Sequence, residues 1–433
     1  MHKEPTVSGT PGTPGPPSAP PSRALWRGQI VAVLLALMPV SLVIHGRIKA
    51  LVPALLFLGG VYLLARHRQV RRDWRSGWPV LGVAALSLIF AIANTVGHGL
   101  AGSTLDGPGH ILLYMLVAAM FARTRSLHVM WWGFSLSAAA FGVLCIVQYF
   151  GLGAGRAYSL DGNTSTAIEF ATLLWALALM ALVQLLRARL TRAEWWLHLA
   201  GLVLGAYGGL LTQSRGPLLA ALPVMLILLL LHARHHGHWR RGLLWLGAIV
   251  LGAGVATASM QGAVLERFVT IQDQIAEVQA GQVEGSVSER LEMWRTAMRG
   301  FQAHPWTGIG IEQFKAYTRG EVEAGRTSPV VARYNNPHNM YLSAALEGGI
   351  PGLLVLLAMF VVPIVFFARR TGDADAETAC AAWAGLAVSV LYPLCAMTDS
   401  VFYRIMSQSF YFFPVLGLAV FVGMRRMRSP HRE

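Results

Sequence analysis

Charge is what this chain has least of. Charged residues make up 13% of its 433 residues, about half the roughly 25% that a soluble globular protein carries. That shortage excludes an ordinary water-soluble enzyme. Cysteine is rarer still: Cys145, Cys380 and Cys395 are the only three, an odd number with no short spacing, which gives neither a disulfide framework nor a thiolate metal knuckle. A nucleotide-binding glycine fingerprint is also missing, because Thr307-Gly308-Ile309-Gly310 follows no strand. Acid is the scarcer charge, 21 Asp and Glu against 35 Lys and Arg, for a net +14 and a pI of about 10.3. Such basicity ordinarily points to nucleic acid. Here the charge has first to be located relative to a membrane, and no nucleic-acid partner is expected.

Apolar sequence is abundant, 55% of the residues, with a mean hydropathy of +0.51. Runs near the ~20 residues that cross a hydrocarbon core recur along the chain. We read about twelve spans: 25–44, 48–65, 77–97, 108–122, 128–150, 165–186, 194–213, 216–233, 242–261, 350–368, 376–398 and 407–424. The expected fold is an all-α polytopic membrane protein. Residues 1–24 read as a disordered cytoplasmic tail, since Pro5 to Pro21 is too poor in apolar surface to offset its chain entropy. The organisation expected from there is spans 1–9 over 25–261, a periplasmic helical segment over 262–349, spans 10–12 over 350–424 and a cytoplasmic tail over 425–433. With no small-residue cleavage site after the first run, that run reads as an uncleaved signal anchor.

Orientation follows from the loops, because short connections rich in Lys and Arg stay cytoplasmic. With the N-terminus inside, 22 of the 35 basic residues fall on the cytoplasmic face, against five in the short loops of the other face: Arg47, Lys49, Arg156, Arg215 and Arg404. Both termini are therefore expected in the cytoplasm. The remaining eight lie in one long outer segment, Gln261 to Asn339, which also holds nine acids and is close to neutral.

Local signals divide that segment. Val264 to Val278 has Leu265, Phe268, Ile271 and Ile275 at helical spacing and reads as an amphipathic helix on the membrane or the spans. Ser286 and Glu289 form a capping-box pattern opening a helix with an apolar stripe of Leu291, Trp294, Met298 and Phe301, and Arg290 lies in its first turn. In Asn335-Asn336-Pro337-His338-Asn339 we read Asn336 as N-cap and Pro337 as the first helical residue. That would put His338 in the first turn of a short helix ending at Gly348-Gly349-Ile350-Pro351, where the positive end of the helix dipole favours the neutral imidazole a general base requires. Thr212-Gln213-Ser214-Arg215-Gly216 is a tight turn that holds Arg215 at the outer membrane surface.

Two placed arginines and one histidine, with no metal called for, suit one reaction class. A sugar joined to a lipid through a diphosphate already has a good leaving group, so no strong general acid is needed. Cations must offset the charge that builds on the diphosphate, and a base can take the proton of an attacking hydroxyl. Bidentate arginine suits phosphate oxygens better than lysine.

The runs Ser288-Glu289-Arg290-Leu291-Glu292-Met293-Trp294, His304-Pro305-Trp306-Thr307-Gly308-Ile309-Gly310, Pro337-His338-Asn339-Met340-Tyr341-Leu342 and Glu347-Gly348-Gly349, with the Arg215 turn and the span plan, resemble bacterial O-antigen ligases and the related O-antigen polymerases. The resemblance covers roughly residues 200 to 360 in motif. It implies a glycosyltransferase-C-like membrane enzyme that moves O-antigen from undecaprenyl diphosphate to lipid A-core at the periplasmic face of the inner membrane, with membrane lipids around it and no cofactor or metal. Carried over by residue, Arg215 and Arg290 would bind the donor diphosphate and His338 would activate the acceptor hydroxyl, with Asn339, Tyr341 and Ser214 as supporting candidates. A single sizeable outer loop favours ligase over polymerase, and the lack of a soluble region after the last span disfavours a protein O-oligosaccharyltransferase.

Plainer readings stand beside these. Arg215 could be a snorkelling helix anchor, Arg290 could pair with Glu289 on a solvated face, and His338 could be a capping or packing residue. Arg267, Arg295, Arg299, Arg319 and Arg333 read as solvated or structural. Asp399 with Arg404 is either a structural pair or part of the outer wall of the site. His232, His235, His236 and His238 fit no metal-site spacing, and Trp131, Trp132, Trp195 and Trp196 read as interfacial belt residues. A lipid-linked glycan transporter is the competing class, but it would show midplane charges and internal repeats. Glu169, Glu347 and Asp399 instead lie near predicted span ends.

Overall fold

The computed structural model describes residues 23–44, 49–160, 166–187, 189–236 and 286–428. Among these there is no strand. Fifteen α-helices follow one another: α1 Arg23–Ala36, α2 Met38–Val43, α3 Leu51–Arg66, α4 Arg68–Arg75, α5 Val80–Gly97, α6 Asp106–Val117, α7 His128–Ile146, α8 Ala167–Leu185, α9 Arg192–Leu211, α10 Arg215–His236, α11 Ser286–Ala303, α12 Phe314–Glu323, α13 Met340–Ala368, α14 Ala376–Cys395 and α15 Ile405–Arg428. The protein is an all-α polytopic membrane protein.

Eight segments among the described residues are long and apolar enough to span a membrane, and a ninth counts if α3 and α4, which meet at 111°, are one broken span. The difference from twelve has local causes. The first expected run is broken at Leu37, two residues before Pro39, whose ring opposes helix continuation. The second, α3, has only 16 residues. The seventh, α9, opens on a capping box of Thr191 with Glu194 and buries His198, so it is not apolar enough to count. The ninth run, the amphipathic stretch 264–278 and residues 1–22 lie outside the described residues, as do the side chains of His235, His236 and His238.

Burial sorts the helices. α8 and α15 are covered almost all round and form the centre of the bundle, whereas α5, α10 and α13 keep exposed apolar faces such as Ile89, Leu219 and Val361. Such faces suit lipid, where only internally hydrogen-bonded helices are stable. Trp131 belongs to the buried centre rather than to a belt, while Trp132 and Trp196 are exposed as expected.

Outside the bundle, α11 and α12 form a small second core of Met293, Ala297, Phe314, Val331 and Leu346. The buried face of α11 is Met293, Thr296, Ala297 and Gly300, not the expected stripe, and Met298 is exposed. Close approach decides this. A side chain at Gly300 would run into Leu346 of α13 and Tyr317 of α12, so small residues turn inward and the larger apolar ones flank the contact. Leu346 thereby ties this outer unit to α13.

Candidate functional site

α13 is the element that positions the site, and it is broken early. Gly349 has φ 64° and ψ −159° inside an otherwise helical run, a conformation essentially restricted to glycine. The Gly348-Gly349-Ile350-Pro351 break expected from sequence lies here. The Thr307 to Gly310 turn docks onto it: Ile309 N–H donates to Leu346 O at 2.9 Å, Gly310 N–H to Glu347 O at 3.0 Å, and Ile350 N–H to Pro305 O at 2.7 Å. Asn94 of α5 locks the joint, donating to Glu347 O at 3.2 Å and accepting from Ile311 N–H at 3.0 Å. Gly308 has φ 66°, and a Cβ there would strike the Glu347 backbone. The glycine-rich turn is thus a clamp on a broken helix.

Eleven residues before Gly349, the chain makes a second special turn. His338 has φ 48°, so it cannot lie in a helix, and its N–H donates to Asn336 Oδ1 at 3.0 Å in an Asx turn. The N-cap is Asn339 instead of Asn336, with Oδ1 accepting from Tyr341 N–H at 3.0 Å and Leu342 N–H at 3.1 Å. Pro337 precedes the helix, and its carbonyl accepts from Trp294 Nε1 of α11 at 2.9 Å. His338 therefore sits just before the helix start, gripped from both sides. The end of α14 supplies further grip. Met340 N–H donates to Ala396 O at 2.8 Å, Asn339 Nδ2 to Met397 O at 3.2 Å, and Tyr341 OH to Pro393 O at 2.9 Å. The polar atoms of Asn339 and Tyr341 are thus engaged by backbone.

The same seam brings in a residue that the sequence reading paired differently. His338 Nδ1 is 3.0 Å from Asp399 Oδ1, which also accepts from Ser400 N–H at 2.9 Å. Arg404 turns away from Asp399 to Glu169 of α8, Nε to Oε1 at 3.3 Å. An ionised carboxylate only accepts, so Nδ1 carries the proton toward Asp399 and Nε2 is left as the basic atom. Among the described residues Nε2 has no hydrogen-bond partner. Asp399 was legible as an outer-end residue, since it follows α14 at the end where His338 precedes α13. Its partner was not.

Arg290 stands one helical turn before Trp294 on α11, half-buried. Among the described residues it makes no ion pair. Glu289 does not pair with it; its carboxylate accepts from Tyr334 OH, and Tyr334 meets the His338 ring edge-on at 5.7 Å between centroids. Burial and the Glu289 hydrogen bond hold the Tyr334 phenol above its ordinary pKa, while Arg333 and Arg290 pull the other way. Tyr334, which sequence reasoning missed, thus links the Arg290 helix to His338. Arg299 is structural: its guanidinium bonds Arg326 O at 2.9 Å and Thr296 Oγ1 at 3.1 Å.

Arg215 opens α10, half-buried, after a turn in which Gln213 has φ 53°. Arg156 holds that turn, donating from Nε to Thr212 O at 3.0 Å and from Nη2 to Ser214 Oγ at 3.2 Å. Ser214 therefore serves the turn. Gly216 packs directly on Thr398, leaving no room for a Cβ, and Thr398 adjoins Asp399. The structure accordingly brings the start of α10, the start of α13 and the end of α14 together. Both arginines stand near helix starts, where free N–H groups and the dipole favour anions. Among the described residues, no group of three or more His, Cys, Asp or Glu side chains could hold a metal ion.

Comparison with known proteins gives two likenesses. An uncharacterized protein of Haemophilus influenzae is 19% identical over 320 residues, 73% of this chain and 79% of that relative. The family model described as O-antigen ligase matches residues 200–357, a stretch that includes Arg215, Arg290 and His338 but neither Glu169 nor Asp399. Residues 200–357 of this chain are thus similar to the O-antigen ligase family, whose members are glycosyltransferase-like enzymes.

Proposed function

We propose that the protein is an O-antigen ligase, transferring O-antigen from undecaprenyl diphosphate to lipid A-core at the periplasmic face of the bacterial inner membrane, with both termini cytoplasmic. The observation that carries the reading is the His338 imidazole, tethered through Nδ1 to Asp399 and open at Nε2, inside a family domain that also holds Arg215 and Arg290. In this scheme Nε2 takes the proton of an acceptor hydroxyl as its oxygen bonds the anomeric carbon of the donor sugar. The bond from that carbon to the diphosphate oxygen breaks, and its electron pair leaves with the diphosphate. Arg215 and Arg290 offset the charge that grows there, as preorganised cations aimed at developing charge do. The single long segment between 261 and 339 supports a lipid acceptor over a growing glycan.

The test is a cell-free assay with the purified full chain, lipid-diphosphate glycan and either lipid A-core or an undecaprenyl-linked repeat unit. We expect transfer to lipid A-core, and His338→Ala to lower it about 10²- to 10⁴-fold, the usual contribution of a general base, with unchanged thermal stability. Full activity of His338→Ala would remove the base, and transfer to the repeat unit alone would make the protein a polymerase.

A further inference from the structure

One acid sits where the proposed chemistry needs only cations. Glu289 stands in the first turn of α11, directly before Arg290, at the helix end where a negative charge is stabilised. A carboxylate there competes with the donor diphosphate for the guanidinium. Yet the two do not pair. The Glu289 carboxylate accepts from Tyr334 OH, and Arg290 has no ion-pair or hydrogen-bond partner among the described residues.

Tyr334 is fixed from behind. It follows the short 3₁₀ helix Pro329–Arg333, its N–H donates to Val331 O at 3.2 Å, and its ring packs, as Trp294 does, on the small outer core. Burial first, then the Glu289 bond, keep the phenol protonated against the opposing pull of Arg333 and Arg290. That pull places both guanidinium groups within electrostatic reach of the phenol and of the carboxylate bonded to it. Consecutive helix positions do not face each other, so Glu289 could meet Arg290 only by swinging on its flexible stem. The Tyr334 bond removes that freedom. The same ring meets the His338 imidazole edge-on, at 5.7 Å and 81° between planes. His338 itself has φ 48°, a conformation that a residue other than glycine keeps only where its surroundings hold it.

We infer that Tyr334 is a positioning residue for both halves of the transfer: its hydroxyl holds the Glu289 carboxylate away from Arg290, leaving that guanidinium open to the donor diphosphate, and its ring holds the His338 imidazole in place. The inference rests on the reading of Arg290 as a donor ligand.

Two variants separate the hydroxyl from the ring. In Tyr334→Phe the ring stays and the carboxylate is released. Equilibrium binding of undecaprenyl diphosphate to the purified full chain in detergent should then weaken about fivefold, the upper end of what an exposed ion pair is worth, while kcat at saturating donor stays unchanged. Glu289→Gln alone, whose amide oxygen still accepts from the phenol, should bind at least as tightly as wild type. The double variant Tyr334→Phe/Glu289→Gln should recover wild-type affinity, because no carboxylate remains to occupy Arg290. Tyr334→Leu should lower kcat as well, since the imidazole loses its ring contact. Trp294→Phe cuts the bond from α11 to Pro337 O without freeing an acid, so adding Glu289→Gln to it should restore nothing. Melting curves establish that each variant is folded.

Unchanged affinity in Tyr334→Phe, no recovery in its double variant, equal recovery in Trp294→Phe/Glu289→Gln, or an unchanged kcat in Tyr334→Leu would overturn the inference. Arg290→Gln tests the reading beneath it and should weaken binding about tenfold or more, as loss of a hydrogen-bonded charge does. Unchanged affinity there would remove Arg290 from the donor site and this inference with it, whereas a loss there beside a failed recovery overturns this inference alone.

Discussion

The joint at Gly349 within α13 and the turn at His338 just before that helix lie eleven residues apart and are built on opposite plans. At the joint around Gly349, neutral groups close on one another: Asn94, the Thr307 to Gly310 turn and the broken helix exchange hydrogen bonds until the named backbone groups are paired inward. Around His338 the pairing stops halfway. Asp399 holds Nδ1 and Trp294 holds the preceding carbonyl, while Nε2 and the Arg290 guanidinium have no hydrogen-bond or ion-pair partner among the described residues. The lesson is that a rigid joint lets a neighbouring turn keep reactive groups unpaired without losing its shape. Substitutions at the joint should then cost stability, and substitutions at the turn should cost activity.

The largest expected effect comes from Asp399→Asn. The amide keeps an oxygen for Ser400 N–H, so the fold should survive, but it no longer offers a carboxylate to fix the imidazole tautomer. In a serine-protease triad the same change costs about 10⁴ in rate; here, with the diphosphate leaving group already good, a loss on the order of 10²-fold or more in kcat/KM is expected. A melting temperature within a degree or two of wild type should accompany it. If Asp399→Asn unfolds the protein and leaves the specific activity of the folded fraction intact, the turn is structural and the contrast with the joint fails.

Gly349→Ala should do the reverse. A Cβ at φ 64° would sit 2.6 Å from Pro305 O and 2.7 Å from the Trp306 carbonyl carbon, backbone atoms that cannot step aside. Strain of this kind costs about 1–3 kcal/mol, and the clash adds to it. Gly348→Ala is the matched control, because its Cβ meets only the end of the Phe90 ring at 2.7 Å, a side chain that can rotate. Thermal melting in detergent should rank Gly349→Ala well below Gly348→Ala, and equal melting temperatures would show that the break is not what holds the joint.

Much of this was legible in sequence, and the failures share a cause. Eleven of the twelve apolar runs coincide with described helices, because a run of Leu, Val and Ala advertises itself without reference to anything else. The glycine break was also readable, since Gly348-Gly349-Ile350-Pro351 violates helix propensity locally. What depended on a distant partner was not readable. Asp399 meets His338 across 61 residues, and Arg404 had a nearer candidate in sequence than Glu169. Asn336 and Asn339 are equally good caps on paper; the Asx turn at His338 and the seam to α14 choose the second. The buried face of α11 was misjudged because its neighbours demanded small residues, and hydrophobicity alone cannot say how close a neighbour will come.

The smallest effect sharpens the contrast from inside the joint. Glu312 has φ 60° directly after the clamp turn, with its carboxyl close to Gly107 of α6. Burial first, then the Asp106 charge, raise its pKa above the ordinary value of 4.5. A carboxyl whose folded pKa is raised binds its proton more tightly in the folded protein than in the unfolded chain. Its contribution is therefore neutral below about pH 4.5 and becomes a penalty as pH rises through the folded value. The residue is exposed on its outer side, so solvent screening should hold the penalty to a few tenths of a kcal/mol. Glu312→Gln removes the charge and keeps the shape. Its melting temperature should match wild type at pH 4, rise slightly above it by pH 7, and stay level beyond. A melting temperature that falls below wild type as pH rises to 7 would mean that the Glu312 carboxylate is stabilised by a cation, and the joint would then not be the neutral structure that sets it apart from the His338 turn.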